Sequence, residues 1–247
     1  MNETNLIDRP CQVAILAGGQ GTRLATRAGN LPKPMVPVMG EPVLQHQIKL
    51  CREHGFTNIA LLVHYRHEAI SEHFGDGSRF GVRLHYEVEI TPRGTSGALR
   101  DALPRLAERF LLLYGDTYMD VDLSRLWQRH IDTGVDGTLL LHPNDHPHDS
   151  DLVDVDRDGL VRAIWPYPHP KGQDYRNLVN AALYVLQRDG LAQFTPTEGK
   201  TDIAKHMFPA MLAGGRRLHG YVSSEYIKDM GTPERLDKVE RDIEFGL

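Results

Sequence analysis

Residues 15–35 read ILAGGQGTRLATRAGNLPKPM. The stretch begins inside an apolar run, Val13 to Leu16, and breaks at once into glycines. A short apolar run closed by glycine predicts a buried strand entering a tight turn. Such a turn leaves backbone N–H groups open to an anion, because no Cβ blocks close approach. Phosphate is the natural ligand, with a plain tight turn as the competing reading. Two familiar phosphate loops do not fit. Gly21-Thr22-Arg23 lacks the Gly-Lys-Ser/Thr ending of a P-loop, and Leu24 stands where the dinucleotide fingerprint needs its third glycine. Arg23 and Lys33 favour phosphate: arginine offers a planar fork and lysine a mobile point charge. Pro32 and Pro34 bracket Lys33 and restrict the backbone around it.

Outward from this loop, strand and helix patterns alternate. Val43, Leu44, Gln47, Ile48 and Cys51 give a helical face opened by Pro42 and closed by Gly55. Ile59 to Val63 reads as a strand, His67 to Phe74 as a helix, Leu84 to Val88 as a strand and Ser96 to Leu103 as a helix. Phe110 to Tyr114, FLLLY, is a buried strand that runs into Gly115-Asp116. Further on, Leu123 to His130 reads as a helix and Thr138 to His142 as a strand. Leu152 to Val155 and Leu160 to Ile164 flank a turn at Asp156 to Gly159 and predict a hairpin. Leu178 to Leu186 reads as a strand, and Ile203 to Leu212 and Pro233 to Phe245 as helices, the last capped by Thr232. The expectation is an α/β fold: a Rossmann-like three-layer sandwich with a mainly parallel central sheet and a small inserted substrate subdomain. A single domain over 1–247 is expected, with a first half over about 11–120, a second half over about 121–231 and a C-terminal helix over 232–247.

The 247-residue chain carries a net charge of -5 without a basic tract, which argues against nucleic acid or an anionic membrane as the main partner. Its longest apolar runs are strand-length, well short of the ~20 residues of a membrane-spanning helix. The stretch MNETNLIDRP is polar and lacks the apolar core of a signal peptide, so a cytoplasmic location is expected. Cys11 and Cys51 have neither metal-ligand nor disulfide spacing and are expected to be reduced thiols.

The combination L-A-G-G-x-G-T-R-L followed by P-K-P resembles the signature of the sugar-1-phosphate nucleotidyltransferases, a fold related to the GT-A glycosyltransferases. The likeness continues along the chain in Pro92-Arg93-Gly94-Thr95-Ser96-Gly97-Ala98, Tyr114-Gly115-Asp116, Asn180-Ala181-Ala182-Leu183-Tyr184 and Asp229-Met230-Gly231-Thr232-Pro233. Ala182 stands where the family's N-A-G-I-Y segment has glycine. Within the family, His142 to Val153 and Asn177 to Ala182 are similar to the guanylyltransferases of D-glycero-D-manno-heptose 1-phosphate. The resemblance implies an enzyme that converts a sugar 1-phosphate and GTP into GDP-heptose and pyrophosphate for surface polysaccharide such as capsule or lipopolysaccharide. Mannose or glucose 1-phosphate with GTP, UTP, dTTP or CTP is the alternative pair.

The resemblance also assigns residues. Arg23 and Lys33 would be catalytic, the first at the leaving pyrophosphate and the second at the α-phosphate. Leu16, Ala17, Gly18, Gly19, Gly21, Thr22, Gly94 and Thr95 would bind the nucleotide. Tyr114, Gly115 and Asn180 would lie at the sugar phosphate, and Asp116 and Asp229 would share a Mg²⁺ ion. In many relatives a lysine of an E-K-P element holds the sugar phosphate. Tyr167 occupies that place here and brings no positive charge, so either Lys171 or Arg176 substitutes from nearby or the sugar phosphate is held less tightly. The resemblance makes the half over about 11–120 nucleotide-binding and the half over about 121–231, with its inserted subdomain, sugar-binding.

Two other functional classes compete. Asp120-Val121-Asp122 is similar to the metal motif of glycosyltransferases, but acids also favour a first helical turn. A non-catalytic binding module would be expected to lose Lys33 or Asp116, and both are present. The cluster His142, Asp145, His146, His148 and Asp149 is interrupted by Pro143 and Pro147, which breaks helical metal-ligand spacing; a polar loop over the sugar is expected instead. The sequence leaves a homo-oligomer open.

Overall fold

The computed structural model describes residues 10–21, 24, 29, 31–195 and 198–246. The apolar run of the glycine-loop segment is β1 (Cys11–Leu16), the middle of a nine-stranded sheet. It pairs in parallel with β4 (Asn58–Val63) on one side and β6 (Leu106–Tyr114) on the other. The short ribbon β2 (Pro37–Val38) and β3 (Glu41–Pro42) lies between them in sequence, and β5 (Arg83–Val88) extends the parallel run beyond β4.

Alternate residues of β1 point to opposite faces, and helices cover both. Val13 and Ile15 pack with α1 (Val43–Glu53), α2 (His67–Phe74) and α4 (Leu123–Thr133), through Leu44, Ile48, Phe74 and Leu126. Ala14 faces α3 (Gly94–Ala102) and α5 (Phe208–Ala213), through Leu99 and Phe208. The result is the expected three-layer sandwich. The helix Pro233–Glu244, α6, builds a third core from Leu236 and Val239 against Leu24, Val36 and Val38. Thr232 caps it, accepting from the Arg235 N–H.

The second half of the sheet turns antiparallel. After the short β7 (Thr117–Asp120) come β8 (Gly137–His142), β9 (Leu152–Val155), β10 (Val161–Trp165) and β11 (Val179–Gln187). β11 runs antiparallel to β6 and then to both β8 and β9, so it joins the parallel half to the hairpin β9–β10. Besides the short β2, β3 and β7, two further strands were not read from the sequence pattern. β12 (Leu218–Val222) carries Gly220, where a Cβ would stand 2.5 Å from the Leu141 side chain, and it pairs in parallel with β8. β13 (Tyr226–Asp229) pairs antiparallel with β7, outside the main sheet. The predicted helix over 203–212 divides into a wide π turn, Ile203–Met207, and α5. Pro209 brings no N–H at the start of α5, which disfavours a continuous α register there.

Candidate active site

The site lies at the carboxyl ends of β1, β4 and β6, where parallel strands of an α/β sheet present their loops to ligands. The chain leaves β1 through Ala17, whose N–H donates to the Leu62 carbonyl at 2.7 Å. Gly18 then runs so close to His64 that a Cβ would sit 3.2 Å from the His64 Cβ. Gly21 has φ +67°, and a side chain there would press on Lys33 at 3.1 Å. The Lys33 N–H closes the loop on the Gly19 carbonyl at 3.1 Å. Thr22 and Arg23 lie outside the described residues.

Lys33 sits in a 3-10 turn, Lys33–Met35, opened by Pro32 and fixed below by Val36 and Val38 in the third core. Its ammonium forms a partly buried ion pair with Asp116. Asp116 belongs to the turn between β6 and β7. Gly115 N–H donates to the Leu16 carbonyl at 2.9 Å, and a Cβ on Gly115 would come within 2.9 Å of that same oxygen. Gln47 of α1 holds the turn from below, donating through Nε2 to the carbonyls of Tyr114 at 2.8 Å and Thr117 at 2.7 Å.

A cavity of about 360 Å³ opens above this turn. It is bounded by Leu16, Gly18, Gly19, Lys33, His64, Glu89, Gly94, Thr95, Tyr114 and Asp116. Tyr114, expected at the sugar, thus stands in the glycine-loop cavity. Gly94 has φ +80°, and a Cβ there would come within 2.2 Å of the Thr201 carbonyl oxygen, so only glycine lets α3 dock on that strand-like segment. Thr95 Oγ1 donates to Asp202 and accepts from the Ile203 N–H, which ties the same helix start to the other half of the chain. Glu89 accepts from the Arg93 N–H at 2.8 Å through one carboxylate oxygen.

A second cavity of about 190 Å³ adjoins Thr117 and Asp229. Its walls are polar: His142, Asn144, His146, Asp149, Ser150, Asp151, Asn180, Lys228 and Arg235. The loop that carries His142 and His146 lines it. Among the described residues no group of three or more His, Cys, Asp or Glu side chains could hold an ion by itself. Asn180 reaches the cavity from a distortion of β11. The register with β8 slips between Asn180 and Tyr184, and Ala182 adopts the left-handed φ of +57°. The Asn180 carboxamide oxygen accepts from the Ala182 N–H at 3.3 Å. Burial raises the Asp151 carboxyl above its ordinary value, although the Tyr167 N–H bonds to it.

Asp229 faces Thr117 across the β7–β13 pair, and the Met230 N–H donates to the Asp116 carbonyl at 3.0 Å, so the two aspartates lie at the seam between the cavities. Burial alone would raise the Asp229 carboxyl; the Arg235 guanidinium, 2.5 Å away, and the Gly231 N–H outweigh it and hold the group below its ordinary range. Two carboxylates without a larger cage suit Mg²⁺, which typically takes one or two carboxylates and completes its shell with phosphate oxygens and water.

Other candidates stand elsewhere. Lys171 is exposed and lines neither cavity. Arg176 is exposed on the far side of the hairpin, donates to the Val155 carbonyl at 3.3 Å and lies with Trp165 and Tyr175. Neither expected substitute for the missing lysine lines the second cavity. Asp122 caps α4, accepting from the Arg125 N–H at 2.9 Å, and Asp120 is exposed; neither lines a cavity. Gln47, His64, Glu89, Lys228 and Arg235 were not singled out from the sequence. Gln47 alone carried a signal, as a polar residue on the apolar face of α1.

The pattern of the family described as Nucleotidyl transferase matches residues 12–245. The chain is 31% identical over 235 residues to the mannose-1-phosphate guanylyltransferase of Mycobacterium tuberculosis, covering 94% of this chain and 64% of that protein. It is 30% identical over 226 residues to the D-glycero-alpha-D-manno-heptose 1-phosphate guanylyltransferase of Campylobacter jejuni, covering 90% of this chain and 96% of that protein. Among solved structures, HddC from Yersinia pseudotuberculosis complexed with GMP-PN matches with a TM-score of 0.78 and 26% identity, over 94% of this chain and 98% of that one.

Proposed function

The chain belongs to the nucleotidyl transferase family, and from that premise we propose that it joins a sugar 1-phosphate to a nucleoside triphosphate and releases pyrophosphate. The observation that carries this reading is the pair of cavities meeting at Lys33, Asp116 and Asp229, one floored by glycines and one walled by polyol-binding groups. A phosphate oxygen of the sugar 1-phosphate attacks the α-phosphorus of the NTP, and the bond to the β-phosphate oxygen breaks. The attacking phosphate is ionised near neutral pH, so no general base is required. The barrier is the approach of two anions, and positioning with charge neutralisation lowers it. Lys33 would hold the α-phosphate, leaving Asp116 for it as charge builds. Arg23 is assigned to the departing pyrophosphate. Asp116 and Asp229 would hold Mg²⁺, which supplies charge neutralisation at phosphate oxygens when bound.

Guanine is the favoured base. A carboxylate can accept from both N1–H and the exocyclic amine of guanine, and Glu89 brings one to the nucleotide cavity. Heptose 1-phosphate is the favoured partner and mannose 1-phosphate the runner-up, because relatives of both activities match this chain. The product would feed surface polysaccharide synthesis. Both substrates are water-soluble, and no helix among the described residues is long and apolar enough to cross a membrane. The test is pyrophosphate release with Mg²⁺ across a matrix of NTPs and sugar 1-phosphates. Release from GTP with heptose 1-phosphate is the expected result. Release only with UTP or dTTP refutes the base, and none with any pair refutes the reaction.

A further inference from the structure

A sugar phosphate entering the second cavity brings negative charge next to Asp149, Asp151 and Asp229 and needs a cation. The cationic side chains that line that cavity are Lys228 and Arg235. Lys228 is held on one carboxylate alone among the described residues: its Nζ lies 3.1 Å from each oxygen of Asp145, which is 60% exposed, and no deeper carboxylate fixes the lysine at the seam. Arg235 is held differently. Nη1 is anchored on Asp229 at 2.5 Å, while Nη2 reaches Asp149 at 3.2 Å. Asp149 is 40% exposed and its carboxylate is also shared with His146 at 2.9 Å, so this second contact is the weaker one. A guanidinium has five N–H donors in a planar fork that matches phosphate oxygens.

The location is also right for the chemistry. Arg235 is paired with Asp229, the Met230 N–H next to Asp229 donates to the Asp116 carbonyl, and Lys33 is paired with the Asp116 carboxylate, so a phosphate on the Arg235 fork would lie near the lysine assigned to the α-phosphate. One core fixes both cations, since Leu236 and Val239 of α6 pack on the Val36 and Val38 that follow Lys33.

We propose that Arg235 receives the phosphate of the sugar 1-phosphate, exchanging Asp149 for phosphate oxygens while Nη1 stays on Asp229. Arg235 thereby supplies the charge that Tyr167 lacks. The proposal rests on the nucleotidyl-transfer reading, and two readouts separate them. The first is the ³¹P line width of mannose 1-phosphate mixed with the protein, which needs no turnover. The wild-type protein should broaden the line and Arg235→Gln should not. Equal broadening by Arg235→Gln overturns the proposal whatever the turnover; broadening by the wild type without pyrophosphate release with any pair would sink the transfer reading and leave Arg235 standing.

The second is steady-state kinetics on the best substrate pair. Arg235→Gln should raise KM for the sugar 1-phosphate about tenfold or more, the loss expected of one charge-assisted contact, with KM for the NTP nearly unchanged. Arg235→Lys should recover part of the loss. Asp149→Asn removes the competing anion and should lower KM for the sugar 1-phosphate, a gain that a purely structural role for Arg235 does not give. Arg176→Gln should match the wild type. A parallel rise in both KM values, a higher sugar KM in Asp149→Asn, or the KM defect appearing in Arg176→Gln would each overturn the assignment. Asp149→Asn keeps the test decisive should both Arg235 variants fail to fold.

Discussion

Ala182 is the clearest place to test the geometry of the sugar cavity. Its φ of +57° is left-handed, whereas its neighbour Ala181 is not among the residues of positive φ. A left-handed residue with a Cβ costs about 1–2 kcal/mol that glycine does not. Glycine loses more backbone freedom on folding, which returns about 0.5–1 kcal/mol. The Ala182 methyl is only half-buried, so deleting it forfeits less than the ~0.8 kcal/mol of a buried carbon. Ala182→Gly should therefore be neutral to stabilising, by up to about 1 kcal/mol. Ala181 is 5% exposed, and Ala181→Gly should lose the full methyl and the backbone term, about 1.5 kcal/mol together. The two variants differ by one position and should separate by about 2 kcal/mol, or about 4–8 °C in melting temperature for a chain of this size. Differential scanning calorimetry of the pair is the assay. Ala182→Gly should also keep its KM for sugar 1-phosphate, because glycine can hold the distortion that aims Asn180. Equal destabilisation at both positions, or a larger loss at 182, would refute the claim that the distortion of β11 is strained.

Lys33→Ala should lower kcat about 10²–10³-fold, the cost of one preorganised contact to developing charge, while changing the Kd for NTP much less. Stopped-flow chemistry against equilibrium nucleotide binding checks this, and the reverse split would contradict the role given to Lys33. His130 is 1% exposed, and burial pushes its imidazole from the ordinary 6.5 down to about 4. The unfolded chain then binds that proton more readily, so the stability linked to His130 is full above pH 6.5 and is lost as pH falls towards 4, by about 3 kcal/mol. Urea titrations of the wild type and His130→Gln across that window should show a shallower acid loss in the variant; identical slopes would exclude the buried neutral imidazole. Burial pushes the Cys51 thiol up to about 12 and the Cys11 thiol to about 11. Thiol reagent at pH 8 should find neither in the folded protein and both after denaturation, and prompt native labelling would mean that β1 or α1 opens.

The sequence by itself determined the local chemistry and most of the elements. The periodicity of β1, α1, β4 and β6 and the glycine punctuation after β1 need only neighbouring residues, and the α/β sandwich follows from their alternation. The glycine loop closed by Lys33, proposed as the phosphate cradle, was legible because Gly18, Gly19, Gly21 and Lys33 lie close in the chain. Tertiary structure decided what depends on distant partners. The strands β12 and β13 are short and gain their stability from pairing with β8 and β7, so no local pattern announces them. Gly94 reads as part of a binding motif, yet its bare backbone is required by the Thr201 carbonyl more than a hundred residues later. The cation proposed for the sugar phosphate is the sharpest case. Proximity in sequence pointed to Lys171 and Arg176, whereas the fold brings Arg235 from the C-terminal helix. Charge acts through space, and chain distance carries no information about it once a helix has folded back across the sheet.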